Sequence, residues 1–130
     1  LYQKNSIGLM INKKIDFVPS IFSNNSVAIA EVNQKKAGLG RLVHIDDECT
    51  ELGGMYVFEN FRNQGVARLI VEYLLSQGKN YATIYCLPFE HLRSFYESFG
   101  FEQCDTSEYL PKDIRQKHEW CNKTYPQRVL

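Results

Sequence analysis

The chain has 130 residues, with 15 Lys plus Arg set against 15 Asp plus Glu, so its formal net charge is zero. That length suits one domain with a core that needs neither disulfides nor metals. Zero net charge argues against bulk binding to nucleic acid or to an anionic membrane, although it leaves room for one local anion site.

The first 25 residues give the weakest signal. "IGLMIN" (7–12) and "KKIDFVPSIF" (13–22) read as short helices or irregular cover, with Pro19 breaking any long element. "SVAIAEVN" (26–33) is β-branched and apolar and predicts a strand. "NQKKAG" is a turn, and "GLGRLVHID" (38–46) is a second strand that closes a hairpin with the first. "CTELGGMYVF" (49–58) is a third strand, and the glycines in its interior point to a bulge or a close backbone approach.

"GVARLIVEYLLSQGK" (65–79) is the clearest helix. Val66, Leu69, Ile70, Tyr73 and Leu74 recur at helical spacing, and Gly78 suits the C-cap. "YATIYCL" (81–87) reads as a buried strand. "PFEHLRSFYESFG" (88–100) predicts a helix with a core stripe of Leu92, Phe95, Tyr96 and Phe99, stopped by Gly100. "FEQC" (101–104) reads as a short strand, "LPKDIRQKHEWCN" (110–122) as a short third helix, and "QRVL" (127–130) as the beginning of a strand. A hairpin-rich first half joined to a βαβ unit implies an α/β (α+β) fold: a mixed, mostly antiparallel sheet with flanking helices.

Cys49, Cys86, Cys104 and Cys121 form no CxxC pair, and no Cys/His cluster has zinc-finger spacing, so no metal is expected. Four reduced thiols suit a cytoplasmic protein. No apolar run approaches the ~20 residues of a membrane span. The mixed polar and apolar start carries no signal peptide, so neither membrane nor nucleic acid is expected as a partner. His44, His91 and His118 are scattered and read as surface or local structural residues, with His91 at the start of its helix.

The turn "RNQG" (62–65) stands where a strand ends and a helix begins. The first N–H groups of that helix lack intrahelical partners and the dipole there is positive, which makes an anion site of the kind that takes a phosphate. Gly65 allows close backbone approach, Ala67 keeps the turn free of bulk, and Arg62 adds charge. The spacing is neither a P-loop nor a dinucleotide fingerprint, and an ordinary turn built on a glycine explains it equally well.

Two motifs in order decide between these readings. Arg62-x-x-Gly65-x-Ala67 resembles the [R/Q]-x-x-G-x-[G/A] pyrophosphate loop of the GNAT family of N-acetyltransferases, and "GGMYVFENF" before it is similar to that family's fourth strand and turn. About 30 residues on, "SFYESFGFE" (94–102) resembles the family's helix ending in Tyr-Glu-x-x-Gly-Phe. The resemblance covers roughly residues 26 to 105.

It implies acetyl-CoA as co-substrate and direct acetyl transfer to an amine. Met55, Tyr56 and Val57 would run beside the pantetheine arm. Arg62, Asn63 and the amides of Gln64, Gly65, Val66, Ala67 and Arg68 would hold the pyrophosphate, and the Met55 N–H would polarise the thioester carbonyl. Glu51 stands eleven residues before Arg62, at the position of the general base in the histone acetyltransferase branch. Equally it reads as a carboxylate on a half-exposed strand. Tyr96 stands where relatives carry the acid that protonates the leaving thiolate, or it belongs only to the core stripe.

The chain departs from the family in three places. Phe89 stands where relatives have an Asn on the pantetheine arm, residues 1–25 keep only part of an N-terminal wall, and the last strand is cut short. On this comparison residues 1–130 are one acyl-CoA N-acyltransferase-like domain that lacks part of that wall and its final strand.

The acceptor, a small-molecule amine or a protein amine, is not legible, and a homodimer is left open. The same fold used as a non-catalytic acyl-CoA sensor, or as a pocket for another phosphate ligand, forms the alternative. Residues 105–125 read as a solvated connection anchored by Tyr109, Trp120 and Tyr125, or as a lid on the acceptor site.

Overall fold

A computed structural model describes residues 2–3, 13–19, 25–104 and 110–130. The run 7–12 and residues 105–109, Tyr109 among them, lie outside the described residues. The strands are β1 (Tyr2–Gln3), β2 (Lys13–Pro19), β3 (Ser26–Val32), β4 (Lys35–His44), β5 (Cys49–Val57) and β6 (Thr83–Cys86). They form one sheet in the order β1-β6-β5-β4-β3-β2. The helices are α1 (Val66–Gln77), α2 (Arg93–Glu97) and α3 (Lys112–Thr124).

The β3–β4 hairpin turns on Asn33 and Gln34, both with positive φ (50° and 67°), the conformation that matches the twist of a two-residue hairpin. β4 therefore begins at Lys35, three residues earlier than its sequence signal. β5 and β6 run parallel with α1 between them, so the expected βαβ unit is present, and the other pairings in the sheet are antiparallel.

Three readings need correction. Residues 13–19 are neither a helix nor irregular cover. They pair with β3 along its length, from Lys13 opposite Val32 to Pro19 opposite Ser26. Pro19 is compatible with this because it closes an edge strand, where a missing N–H breaks no essential ladder bond. The helix expected over 88–100 shrinks to a 3₁₀ turn at Glu90–Leu92 followed by α2, because Phe89 is still extended (ψ 145°) and Gly100 turns left-handed (φ 92°). "FEQC" forms no strand and keeps a single bridge at Glu102. The tail behaves more nearly as expected. Val129 bridges Phe89 antiparallel, flanked by the Glu90 N–H donating to the Arg128 carbonyl and the Leu130 N–H donating to the Pro88 carbonyl.

The core lies between one face of the sheet and α1. Ala28, Ala30, Leu42 and Leu52 from the sheet meet Leu69, Ile70 and Leu74 from the helix, all buried. Small residues on β3 and β4 let the helix sit close. A Cβ on Gly40 would come within 2.8 Å of Ile70 and 2.5 Å of the Met55 sulfur, so this glycine is required for the packing. α3 lies against the other face and buries Ile114 and Cys121. Leu74 has no exposed surface. Leu74→Ala is expected to cost about 2–5 kcal/mol, read as a lowered denaturation midpoint with an unchanged slope.

Candidate functional site

The parallel pairing of β5 with β6 covers only Cys49 to Leu52 on one side and Thr83 to Cys86 on the other. Beyond Leu52, β5 continues to Val57 along β4 alone. The two strands part here because of a bulge. Arg41 faces Gly53 and Leu39 faces Tyr56, so Gly54 and Met55 together stand opposite the single residue Gly40. Gly54 adopts φ 60°, a conformation that favours glycine. The bulge read from the Gly53-Gly54 pair is therefore present, and it leaves the β6-facing edge of Met55–Val57 outside the ladder.

The α1 N-terminus completes the gap. Asn63 (φ 61°) and Gly65 (φ 77°, ψ 14°) are both left-handed, and the turn they make feeds straight into the helix. The first intrahelical bond is the Leu69 N–H donating to the Gly65 carbonyl at 3.1 Å. No side chain caps this end, so the N–H groups of Val66, Ala67 and Arg68 precede the ladder and point out of it.

A cavity of about 710 Å³ fills the space between the free edge of β5, the α1 N-terminus and α2. Its walls include every residue expected to bind the cofactor or to act in catalysis except Gln64 and Glu51. Gln64 folds back, its side-chain N–H donating to the Asn60 carbonyl at 3.1 Å. Arg62 lies on the wall as a strut: its Nε donates to the Val57 carbonyl at 3.0 Å and its guanidinium covers the Tyr56 ring. Arg68 donates to the Ser98 hydroxyl at 2.9 Å and stacks 4.5 Å from the Phe99 ring centroid, tying α1 to the end of α2.

Tyr96 is buried, with its ring held edge-on by Phe95 and Phe101. Among the described residues nothing hydrogen-bonds its hydroxyl, and the residue lines the cavity. Burial, reinforced by Cys86 nearby, pushes the phenol above its ordinary range. Burial likewise pushes the Cys86 thiol up to about 12, which rules it out as a nucleophile near neutral pH.

Glu51 lies on the opposite face of β5. Its side chain is 6% exposed, and Lys117 of α3 donates to both carboxylate oxygens, at 2.7 and 2.9 Å. It borders a second, smaller cavity of about 200 Å³ with Arg41, Asp113 and Lys117. The larger cavity and Glu51 are therefore separated by the thickness of the sheet. A Cβ on Gly53 would lie 3.5 Å from a Glu51 oxygen.

Sequence reasoning missed several residues. Phe61, Leu92 and Phe95 supply apolar wall, although the helical stripe alone places the last two in the core. His91 also lines the cavity, stacked on Phe89 with ring centroids 5.9 Å apart, whereas His44 and His118 make local bonds to the Tyr81 hydroxyl and the Val129 carbonyl. Lys117 carried a usable signal: it falls between Ile114 and Cys121 at helical spacing, a charge on the inner stripe of α3. The third helix read from "LPKDIRQKHEWCN" is present as this α3, so over 112–124 the segment is a helix and not a bare connection. Its Trp120 is exposed and meets Tyr125 edge-on.

A family model described as the acetyltransferase (GNAT) domain matches residues 23–103. The chain belongs to the GNAT acetyltransferase family. Among solved structures, it is similar to a GNAT family acetyltransferase from Elizabethkingia anophelis determined with acetyl-CoA bound, at 20% identity and TM-score 0.63 over 72% of this chain and 78% of that one. It also resembles N-acetylglutamate synthase from Neisseria gonorrhoeae, at 15% identity and TM-score 0.63, covering 79% of this chain but only 24% of that one. Glucosamine-6-phosphate N-acetyltransferase from Arabidopsis thaliana aligns at 18% identity and TM-score 0.55, over 66% of this chain and 67% of that one. At these identities the three structures establish the fold. No curated protein matches the sequence.

The left-handed Gly65 gives a direct check on this GNAT loop. Gly65→Ala is expected to lose about 1–2 kcal/mol of stability in urea titration, because its φ of 77° is strained for any residue with a Cβ.

Proposed function

We propose that this protein is an acetyl-CoA-dependent N-acetyltransferase that moves an acetyl group directly to a primary amine. One observation carries the reading. The free edge of Met55–Val57, an uncapped helix N-terminus and a buried phenol with no hydrogen-bond partner among the described residues line the same cavity. These are the features an acyl-CoA needs: an apolar slot with backbone donors for a pantetheine arm, N–H groups for a pyrophosphate, and a proton donor at the sulfur. The acetyl-CoA-bound relative of the same fold supports the choice of ligand.

Acetyl-CoA supplies the activated thioester, and this chain's residues do the rest. The Met55 N–H stabilises the charge that develops on the carbonyl oxygen as the amine attacks. Tyr96, kept neutral by its burial, holds the proton that the departing thiolate takes up. Glu51 receives the proton that the amine must lose, since an amine of lysine type has a pKa of about 10.4 and is mostly protonated at neutral pH. Gln64 to Arg68 present their amides to the pyrophosphate. Direct transfer is supported by Cys86, whose burial pushes its thiol up to about 12 and keeps it from acting as an acyl carrier near neutral pH.

A thermal shift with acetyl-CoA tests the reading, with CoA and ADP as comparators. Acetyl-CoA at a hundredfold excess over Kd should stabilise the fold by about 2.7 kcal/mol, CoA similarly and ADP far less. No shift at saturating acetyl-CoA sinks the proposal. Tyr96→Phe should then lower kcat by about 10²-fold or more while acetyl-CoA still binds. A non-catalytic acyl-CoA module would bind as well but show no turnover for Tyr96→Phe to lose.

A further inference from the structure

The buried pair of Glu51 and Lys117 calls for an explanation. A carboxylate taken out of water and held by one ammonium contributes little net stability, because its desolvation offsets the attraction. This one stands beside the only stretch of β5 whose backbone is bare on that face. Gly53 and Gly54 are consecutive, and each has a cationic side chain above it. The Lys117 Nζ lies 3.8 Å from where a Cβ on Gly53 would be, and the Arg41 Nε lies 2.9 Å from where one on Gly54 would be. Both cations border the same small cavity, together with Glu51 and Asp113.

The two cations differ. Lys117 is bound to Glu51, whereas the ion pairs among the described residues belong to Arg93, Lys117 and Arg128, and none includes Arg41. Its guanidinium is thus available to a ligand at the edge of the parting between β5 and β6. Two cations against two carboxylates leave the cavity without net charge, so a ligand with balanced charges enters without adding an uncompensated one. A polyamine brings several. The anionic and cationic seats are neighbours: Arg41 stands opposite Gly53 in the β4–β5 register, and a Cβ on Gly53 would lie 3.5 Å from a Glu51 oxygen. A ligand using both must carry its opposite charges close together.

We propose that this cavity is the acceptor site and that the acceptor is a small amine bearing a carboxylate one or two carbons away, an α- or β-amino acid. Glu51 receives the ammonium on one oxygen while Lys117 keeps the other, and Arg41 receives the carboxylate. Gly53 leaves the floor between Glu51 and the thioester open to the amine. The inference rests on the acetyl-transfer reading and deepens it by naming the acceptor class.

The test is a set of paired acceptors assayed with the full chain and acetyl-CoA by thiol release: tyrosine against tyramine, tryptophan against tryptamine, histidine against histamine, alanine against ethylamine. At least one acid should exceed its decarboxylated partner in kcat/KM by about ten- to a hundredfold, the range expected of one charge-assisted hydrogen-bonded contact. Arg41→Gln should collapse that ratio to near one, mainly through KM, with a retained acetyl-CoA thermal shift reporting an intact fold. The inference is overturned, with acetyl transfer left standing, if the decarboxylated amines are used as well or better, or if Arg41→Gln leaves the preference unchanged. It is overturned too if the protein binds acetyl-CoA but neither turns over nor binds any of the acids by calorimetry. Failure to bind acetyl-CoA at all removes the reading underneath, and the inference goes with it.

Discussion

The architecture depends on a parallel strand pair that is allowed only four residues of contact. β5 and β6 hydrogen-bond from Cys49 and Thr83 to Leu52 and Cys86 and then separate, although β5 has five more residues to run. Two devices hold them apart. The bulge at Gly54 and Met55 bends β5 away from its former partner, and Leu87-Pro88 lead the chain out of the sheet to pair with the C-terminal tail instead. An unpaired strand edge in a protein interior is costly unless something supplies partners for it. Here the edge opens onto a cavity beside a helix N-terminus, so the backbone groups that the fold leaves free are gathered in one place.

Packing on the two faces of the sheet keeps that arrangement rigid. On one face, alanines and glycines of β3 and β4 let α1 approach closely, and this closeness sets the height at which its N-terminus meets the cavity. Arg62 braces the end of β5 and Arg68 braces the end of α2, so both arginines of the loop act partly as struts. A reading that assigns them only positive charge misses this. On the other face, α3 delivers Lys117 to Glu51 and walls the smaller cavity. The sheet thus separates two chemically different spaces, one apolar with backbone donors and one lined by charges.

That division gives the two ionisable groups of the proposed chemistry unlike surroundings. Tyr96 sits among aromatic rings with no polar partner among the described residues, which keeps its proton on. Glu51 sits among charges, held by an ammonium at hydrogen-bonding distance. A proton donor and a proton acceptor for one reaction must not neutralise each other, and Tyr96 on α2 and Glu51 on the far face of β5 are kept apart by the sheet.

Much of this was legible in the amino-acid order, and the physical reason is that the informative signals were local. The 3.6-residue stripe from Val66 to Leu74 specifies α1. The paired glycines specify a bulge, and Arg62-x-x-Gly65-x-Ala67 specifies a left-handed turn into a helix, since each depends on backbone preferences of a few neighbouring residues. The strand at 13–19 was not legible, because Pro19 masks a pattern that makes sense only at the edge of a sheet. The short α2 was hidden for a related reason: the chain at Pro88 and Phe89 stays extended ahead of the 3₁₀ turn in order to pair with residues 128–130, about forty residues away. Whether Leu92 and Phe95 face core or cavity, and which ammonium meets Glu51, also depend on contacts between segments distant in sequence. Lys117 reaches across 66 positions to that carboxylate, and only the folded chain brings the two together.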